Sequence, residues 1–255
     1  MIIADKKIIK ERFNRNFASY QCGAIVQKKV VERFCQILHE LKLSNFSKVL
    51  EIGCGTGFLS KEFLKKENPH QYFLNDLNTE IFQGIKNTLN SKLLLNYQYL
   101  SGDAELIDFP DDLDALISTS TIQWFHKLEN FIRKVNYHLV ENGIFAFSTF
   151  GQQNFIEIKE TLKLGLDYYS KTELVEMLSE KFDILHFEEW KEAMLFENPR
   201  EVLRHIKTTG VNGISNYYWS KTKLLQFEES YINQFKAEDK VRLTYHPIII
   251  IARKK

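Results

Sequence analysis

Apolar residues recur at spacings of three and four from about Ala24 to Leu41: Ile25, Val26, Val30, Phe34, Ile37, Leu38 and Leu41. That period predicts an amphipathic helix. The pattern then changes. Lys48-Val49-Leu50-Glu51-Ile52 is a short apolar run that stops at glycines. It predicts a strand, with a helix to follow over Phe58 to Lys65. The alternation repeats along the chain. Gln71 to Asn75 predicts a strand, Thr79 to Leu89 a helix, and Tyr97 to Ser101 and Leu113 to Ser118 two further strands. Leu128 to Leu139 predicts a helix and Gly143 to Phe150 a strand. Strands alternating with helices of about ten residues predict right-handed βαβ units. The expected fold class is therefore α/β, with a mostly parallel, Rossmann-like sheet and helices on both faces.

The pattern shifts after Gly151. Thr172 to Leu178 predicts a short helix and Phe182 to Trp190 a strand. Asn198-Pro199 has the form of an N-cap followed by proline at the first helical position, and Gly210 that of a stop, so a helix is expected over Arg200 to Thr209. A second helix is expected over Thr222 to Phe235. The run Ile248-Ile249-Ile250-Ile251 is too apolar for a sheet edge and belongs inside the sheet. One domain is expected over 1–255, with a helical lid segment at 1–45 and a cofactor-binding core at 46–150. A helical insertion at 195–240 should cap the carboxyl ends of the strands, where open α/β sheets bind ligands.

Composition narrows the function classes. At 44% hydrophobic and 26% charged, the chain suits a globular protein with a real core. A net charge of +1 gives no global signal for nucleic acid, so an anionic partner would need a local basic patch. Cys22, Cys35 and Cys54 match neither a zinc spacing nor a redox pair and read as reduced thiols. Met1 to Arg15 lacks the pattern of a signal peptide, and no uncharged apolar run approaches the ~20 residues of a membrane span. A cytoplasmic protein is expected, with neither membrane nor nucleic acid as partner.

The chemistry starts at Glu51-Ile52-Gly53-Cys54-Gly55-Thr56-Gly57, which follows a predicted strand and opens a predicted helix. Glycines there let the backbone turn sharply and approach a ligand. The spacing is GxGxG, not the GxGxxG of dinucleotide sites. Glu51 would repel a pyrophosphate but suits a ligand with an ammonium and a sulfonium. Asn75-Asp76 ends the second strand, where an acid is placed for ribose hydroxyls. Gly102-Asp103-Ala104-Glu105 follows the third, and Asp103 is placed to accept from an adenine amine. Leu77, Ala104 and Ser118 complete the expected contacts, and Cys54 reads as a small residue that fits the loop.

In combination these residues resemble the class I S-adenosylmethionine-dependent methyltransferases over roughly residues 46 to 150. The resemblance implies S-adenosylmethionine as cofactor and a sheet whose last strand runs antiparallel to the rest. The Asn/Asp-Pro-Pro-aromatic motif of nucleic-acid amino-methyltransferases is absent after the fourth strand, which reads Ser118-Thr119-Ser120-Thr121-Ile122-Gln123-Trp124-Phe125-His126. A narrower resemblance runs nearly end to end. Phe13 to Tyr20 with Gln27, Ile122-Gln123-Trp124, Phe147 to Gly151, Leu203 to Asn212 and Leu243 to His246 resemble the malonyl-[acyl-carrier protein] O-methyltransferases of biotin synthesis. That implies a malonyl thioester, on carrier protein or on coenzyme A, as the methyl acceptor.

A carboxylate acceptor of pKa ~4 is already ionised at neutral pH, so no general base is required. The expected work is positioning and exclusion of water. Tyr20, Gln123 and Trp124 are the side chains expected around the acceptor, with His126 nearby. Where the resemblance implies an arginine after Phe150-Gly151, the chain has Lys159, which lacks the bidentate fork. Arg200, Arg204 and Lys207 share a face of the insertion helix that also holds His205, and are expected to dock an acidic carrier. Two alternatives stay open from the residues alone: another small carboxylate, hydroxyl or amine as acceptor, or a cofactor-binding scaffold without turnover.

Overall fold

The structure is a computed structural model, and it describes residues 5–82, 85, 97–209 and 218–255. The chain divides into two compact units. One comprises Gln27–Thr149, Ser170–Glu188 and Ile248–Lys255; the other comprises Met1–Val26, Phe150–Tyr169 and Glu189–Pro247.

The first of these is a sheet unit. Its strands are β1 (Lys48–Ile52), β2 (Gln71–Asp76), β3 (Tyr97–Ser101), β4 (Leu113–Ser118), β5 (Leu139–Phe150), β6 (Phe182–Glu189) and β10 (Pro247–Lys254). They form one seven-stranded sheet in the order β3-β2-β1-β4-β5-β10-β6. The five strands β3 to β5 pair in parallel. The last strand, β10, is antiparallel and lies inside the sheet, as its isoleucine run requires. The helices α2 (Ile25–Glu40), α3 (Phe58–Phe63), α4 (Leu128–His138) and α6 (Lys171–Ser179) belong with it. Leu116, Phe145, Phe131, Leu178 and Ile250, all at most 1% exposed, share its core. The α/β reading therefore holds, with strand boundaries within a few residues of expectation. Of the helix expected over 79–89, only 79–82 and 85 lie among the described residues.

The register places the site. Ile52 stands opposite Asn75 on one side and Ser118 on the other. The strands β1, β2 and β4 thus end level, and their loops leave the same edge.

The second unit holds α1 (Lys6–Gly23), α5 (Ile156–Leu162), α7 (Pro199–Thr208) and α8 (Lys221–Phe235). It also holds β7 (Glu192–Phe196), β8 (Lys236–Ala237) and β9 (Lys240–Tyr245), a three-stranded sheet in the order β7-β9-β8. Antiparallel strands thus bracket the segment 195–240, expected to be helical, and reach into it at both ends. The signal in the sequence is the alternation Val241-Arg242-Leu243-Thr244-Tyr245, whose apolar members the structure buries. Along α8, Phe227, Tyr231 and Phe235 form an aromatic row with centroids 5.3 and 5.4 Å apart, and Tyr231 donates its hydroxyl to Arg242 O at 2.7 Å. Buried Glu157 on α5 accepts from Thr244 N at 2.9 Å and from Thr244 Oγ1 at 2.5 Å, fixing that helix to β9.

Candidate active site

The glycine loop follows β1 with φ of +66° at Gly53, +51° at Gly55 and +80° at Gly57. These angles favour glycine. Space excludes other residues at Gly53 as well: a Cβ there would lie 2.1 Å from Thr121 Oγ1. The loop after β4 therefore closes directly onto the glycine loop. Thr121 is a packing residue that the sequence did not single out; its position in a Ser/Thr run was the only signal.

Asp76 ties the loops together. Its Oδ2 accepts from Gly55 N at 3.0 Å and its Oδ1 from Asn78 N at 2.8 Å. Cys54 N donates to Asn75 O at 3.0 Å, and Gly102 N donates to Asp76 O at 3.0 Å. These bonds bring the expected set Gly53, Cys54, Gly55, Gly57, Asp76, Leu77, Asp103 and Ala104 onto adjoining loops of one sheet edge. Cys54 is buried, and burial raises its thiol pKa well above the ordinary value, so it fills space under the loop. Ser118 is fully buried and donates its hydroxyl to Ile52 O at 3.0 Å, which braces β4 against the end of β1.

Glu51 lies deeper than its place in the motif implied. It is 1% exposed, and its Oε2 accepts from Tyr72 OH at 2.5 Å and Ser60 Oγ at 2.6 Å. Burial pushes the carboxyl up to about 7, against the lowering effect of those two hydrogen bonds.

The loop after β4 turns at Ser120, φ +53°, whose N–H donates to Ser148 Oγ at 3.0 Å. A short 3₁₀ turn, Ile122–Trp124, follows. Gln123 donates Nε2 to Ser120 O at 2.6 Å, while its Oε1 is buried without a hydrogen-bond partner among the described residues. Trp124 is half-buried and His126 exposed. Trp124 is thus not part of the closed core.

The remaining expected site residues fall in the other unit. Tyr20 lies near the end of α1, half-buried, its ring 5.0 Å from that of Phe13. Burial pushes its hydroxyl pKa up. Lys159 stands half-exposed on α5, with Nζ 3.5 Å from Asp167 Oδ1. On α7, the Asn198 side chain accepts from Glu201 N at 3.1 Å and Pro199 begins the helix, as the sequence predicts. Arg200 is held by Glu228, with NH2 to Oε2 at 3.0 Å. His205 turns inward, with Nε2 2.8 Å from Tyr245 OH, and burial lowers its pKa, which favours the neutral ring. Arg204 and Lys207 are exposed.

Residues 49–143 match a family model described as a methyltransferase domain. The chain is 41% identical to a malonyl-[acyl-carrier protein] O-methyltransferase of Bacteroides thetaiotaomicron, covering 98% of this chain and 99% of that one. It is 37% identical to the protein of that name from Calditerrivibrio nitroreducens, covering 96% of each. The chain belongs to the malonyl-[acyl-carrier protein] O-methyltransferase family. Among solved structures, the YcgJ protein of Bacillus subtilis matches with a TM-score of 0.65 at 16% identity, over 88% of this chain and 98% of that one. The N-methyltransferase NodS of Bradyrhizobium japonicum, solved with S-adenosyl-L-homocysteine, matches with a TM-score of 0.55 at 10% identity, over 96% and 98%. At such identities these two speak for the fold, which is that of the class I methyltransferases.

This methyltransferase uses S-adenosylmethionine, and the loops fit it chemically. Asp76 and Asp103 offer carboxylate oxygens for ribose hydroxyls and an adenine amine. Two buried hydroxyl oxygens beside the glycine loop, Thr56 Oγ1 and Ser120 Oγ, have no hydrogen-bond partner among the described residues. Buried polar atoms are rarely left unpaired in a loaded site, so a polar ligand suits them. No described helix is long and apolar enough to cross a membrane.

Proposed function

We propose that this protein methylates the free carboxylate of a malonyl thioester on acyl-carrier protein. The product is the malonyl methyl ester that begins the pimeloyl chain of biotin. The observation that carries the reading is the likeness, over nearly the whole of both chains, to proteins named for that reaction. When bound, S-adenosylmethionine supplies a sulfonium methyl group, and the acceptor oxygen takes it to leave S-adenosylhomocysteine. The chain's own residues hold and orient. Asp76 and Asp103 hold the nucleoside. Gln123 keeps a second Nε2 hydrogen for an acceptor oxygen, and Trp124 offers an apolar wall. Tyr20 orients the carboxylate with its protonated hydroxyl, for which a raised pKa is the suitable state. Lys159, with Nζ 3.5 Å from Asp167 Oδ1, keeps further N–H donors for the same carboxylate. Arg204 and Lys207 take the acidic carrier.

The test is transfer of labelled methyl to malonyl-carrier protein, malonyl-coenzyme A and unacylated carrier. The reading expects label on the first, base-labile as an ester, and none on the third. Malonyl-coenzyme A reports how much the carrier itself contributes. Label on a protein amine, or none on malonyl-carrier protein, overturns the reading.

A further inference from the structure

Glu105 lies two residues past Asp103, in the loop after β3, yet its carboxylate is spent on the loop after β4. Its Oε2 accepts from His126 N at 2.9 Å and its Oε1 from Lys127 N at 2.7 Å. Lys127 is the N-cap of α4, and no side chain of its own caps that helix. Glu105 supplies the cap from another loop, where a negative charge is favoured. A second tie runs the other way. Lys134, about two turns past that N-cap on α4, donates Nζ to Ala104 O at 3.0 Å and also to Ile107 O. Its Nζ lies 3.9 Å from the centroid of the Phe109 ring. An acid from the β3 loop thus grips the backbone after β4, and a base from the helix after β4 grips the backbone of the β3 loop.

Both ends of this clamp touch the candidate site. Glu105 N donates to Asp103 Oδ1 at 3.0 Å, so Asp103 and Glu105 move as one turn. On the far side, Trp124 N donates to Thr121 O and Phe125 N to Ile122 O, both at 3.0 Å. These bonds close the turn bearing Gln123 and Trp124 immediately before His126. A shift of Asp103 thus has a short hydrogen-bonded route, through Glu105, to the acceptor-side turn.

We propose that Glu105 is a positioning residue that couples the two loops, so that engagement of Asp103 by the cofactor sets the pose of the Gln123-Trp124 turn. The proposal rests on reading Asp103 as the adenine contact and Gln123 and Trp124 as acceptor contacts. Linkage makes such coupling reciprocal: cofactor tightens acceptor binding by the factor by which acceptor tightens cofactor binding. A plain helix cap would contribute stability alone.

The experiment uses the full chain with Trp190→Phe and Trp219→Phe, which leaves Trp124 as the sole tryptophan. S-Adenosylhomocysteine is titrated with calorimetry and fluorescence, in the presence and absence of malonyl-carrier protein. With Glu105 intact, Trp124 fluorescence responds, and the two ligands tighten one another by about fivefold or more. In Glu105→Ala, S-adenosylhomocysteine alone should bind within about threefold of the parent, while the Trp124 response and the mutual tightening disappear. Glu105→Gln keeps one carbonyl acceptor for the two amides. It should restore part of both signals and serves where the alanine variant does not fold. A Glu105→Ala or Glu105→Gln protein that melts earlier but keeps the full response and the full tightening overturns the coupling. Asp103→Ala with unchanged S-adenosylhomocysteine affinity overturns the adenine reading, and the coupling with it. Loss of affinity in Asp103→Ala with an unaltered Trp124 response in the Glu105 variants overturns the coupling alone.

Discussion

Tyr72 donates its hydroxyl to Glu51 Oε2 at 2.5 Å, at the end of β1 where the glycine loop begins. Both side chains are at most 1% exposed. A carboxyl so placed loses its water and is held by the hydroxyls of Tyr72 and Ser60, with the Ser60 backbone adding a weaker contribution. Burial therefore outweighs the hydrogen bonds, and the group sits at about 7 where the ordinary value is 4.5. The motif's acid is a support under the glycine loop whose charge is responsive at neutral pH.

That raised value has a signed consequence for stability. The folded protein holds the Glu51 proton more tightly than the unfolded chain does. The stabilisation is complete below 4.5 and is lost as pH rises through about 7. Other carboxylates slope the opposite way, so the informative quantity is a difference. The gap in melting temperature between wild type and Glu51→Gln should shift against wild type from pH 5 to pH 8, by the equivalent of about 1–3 kcal/mol. Melts of the ligand-free proteins at four pH values check this; parallel curves would mean that Glu51 titrates as an ordinary carboxyl.

Asp76 is asked to hold ribose hydroxyls while bridging Gly55 N and Asn78 N. Asp76→Ala should weaken S-adenosylmethionine binding by about 1–3 kcal/mol, the range for hydrogen bonds to a charged group. Asp76→Asn keeps one oxygen for a backbone amide and should lose less. Calorimetry on folded variants decides, and unchanged affinity in the alanine form sinks the ribose assignment.

How far the sequence carried this reading differs by element. The glycine loop, Asp76 and Asp103 were legible as candidates because they stand in short motifs at strand ends, where the backbone geometry depends on neighbouring residues. The mostly parallel sheet was legible from strand-helix alternation, and the interior place of β10 from its isoleucine run, but the order of the seven strands is not written in that alternation. The task of Glu105, in the same motif as Asp103, is not legible, because its partners are backbone amides 21 and 22 residues on, which carry no side-chain signature. Thr121 was missed for the same reason, since its role is to occupy the space left by the missing Cβ of Gly53. The basic helix was only partly legible. Spacing put Arg200, Arg204 and Lys207 on one face, but spacing does not reveal that Glu228, on α8, already holds Arg200.

The carrier-docking prediction is therefore confined to Arg204 and Lys207. Reversing both to glutamate should raise KM for malonyl-carrier protein and leave activity on malonyl-coenzyme A less affected. The wild-type preference for the carrier substrate should fade as salt is raised. Arg200 is a poor probe, because its reversal would set two acids against each other across α7 and α8. Steady-state kinetics on both substrates settles the matter; an equal loss on each would make the face structural.

The last prediction separates positioning from acid–base catalysis. The acceptor carboxylate is ionised well below neutral pH, so Tyr20 is asked to orient it and not to remove a proton. Burial agrees with that role, since it holds the Tyr20 hydroxyl protonated at any working pH. Tyr20→Phe keeps the ring and its packing on Phe13, and removes only the hydroxyl. It should slow methyl transfer by about ten- to a hundredfold, the effect of one hydrogen bond to a charged group at ~1.5–3 kcal/mol. Cofactor affinity should stay nearly intact, because Tyr20 belongs to neither the glycine loop nor the two nucleoside acids. At saturating cofactor, the wild-type rate should be flat from about pH 6 to 8, as no group on the acceptor titrates there. Saturation matters, because Glu51, raised to about 7, titrates within that window next to the glycine loop. A rate that climbs steeply through neutral pH, and loses the climb in Tyr20→Phe or His126→Ala, would identify a general base. The acceptor would then be a hydroxyl or an amine, and the malonyl carboxylate would have to be given up.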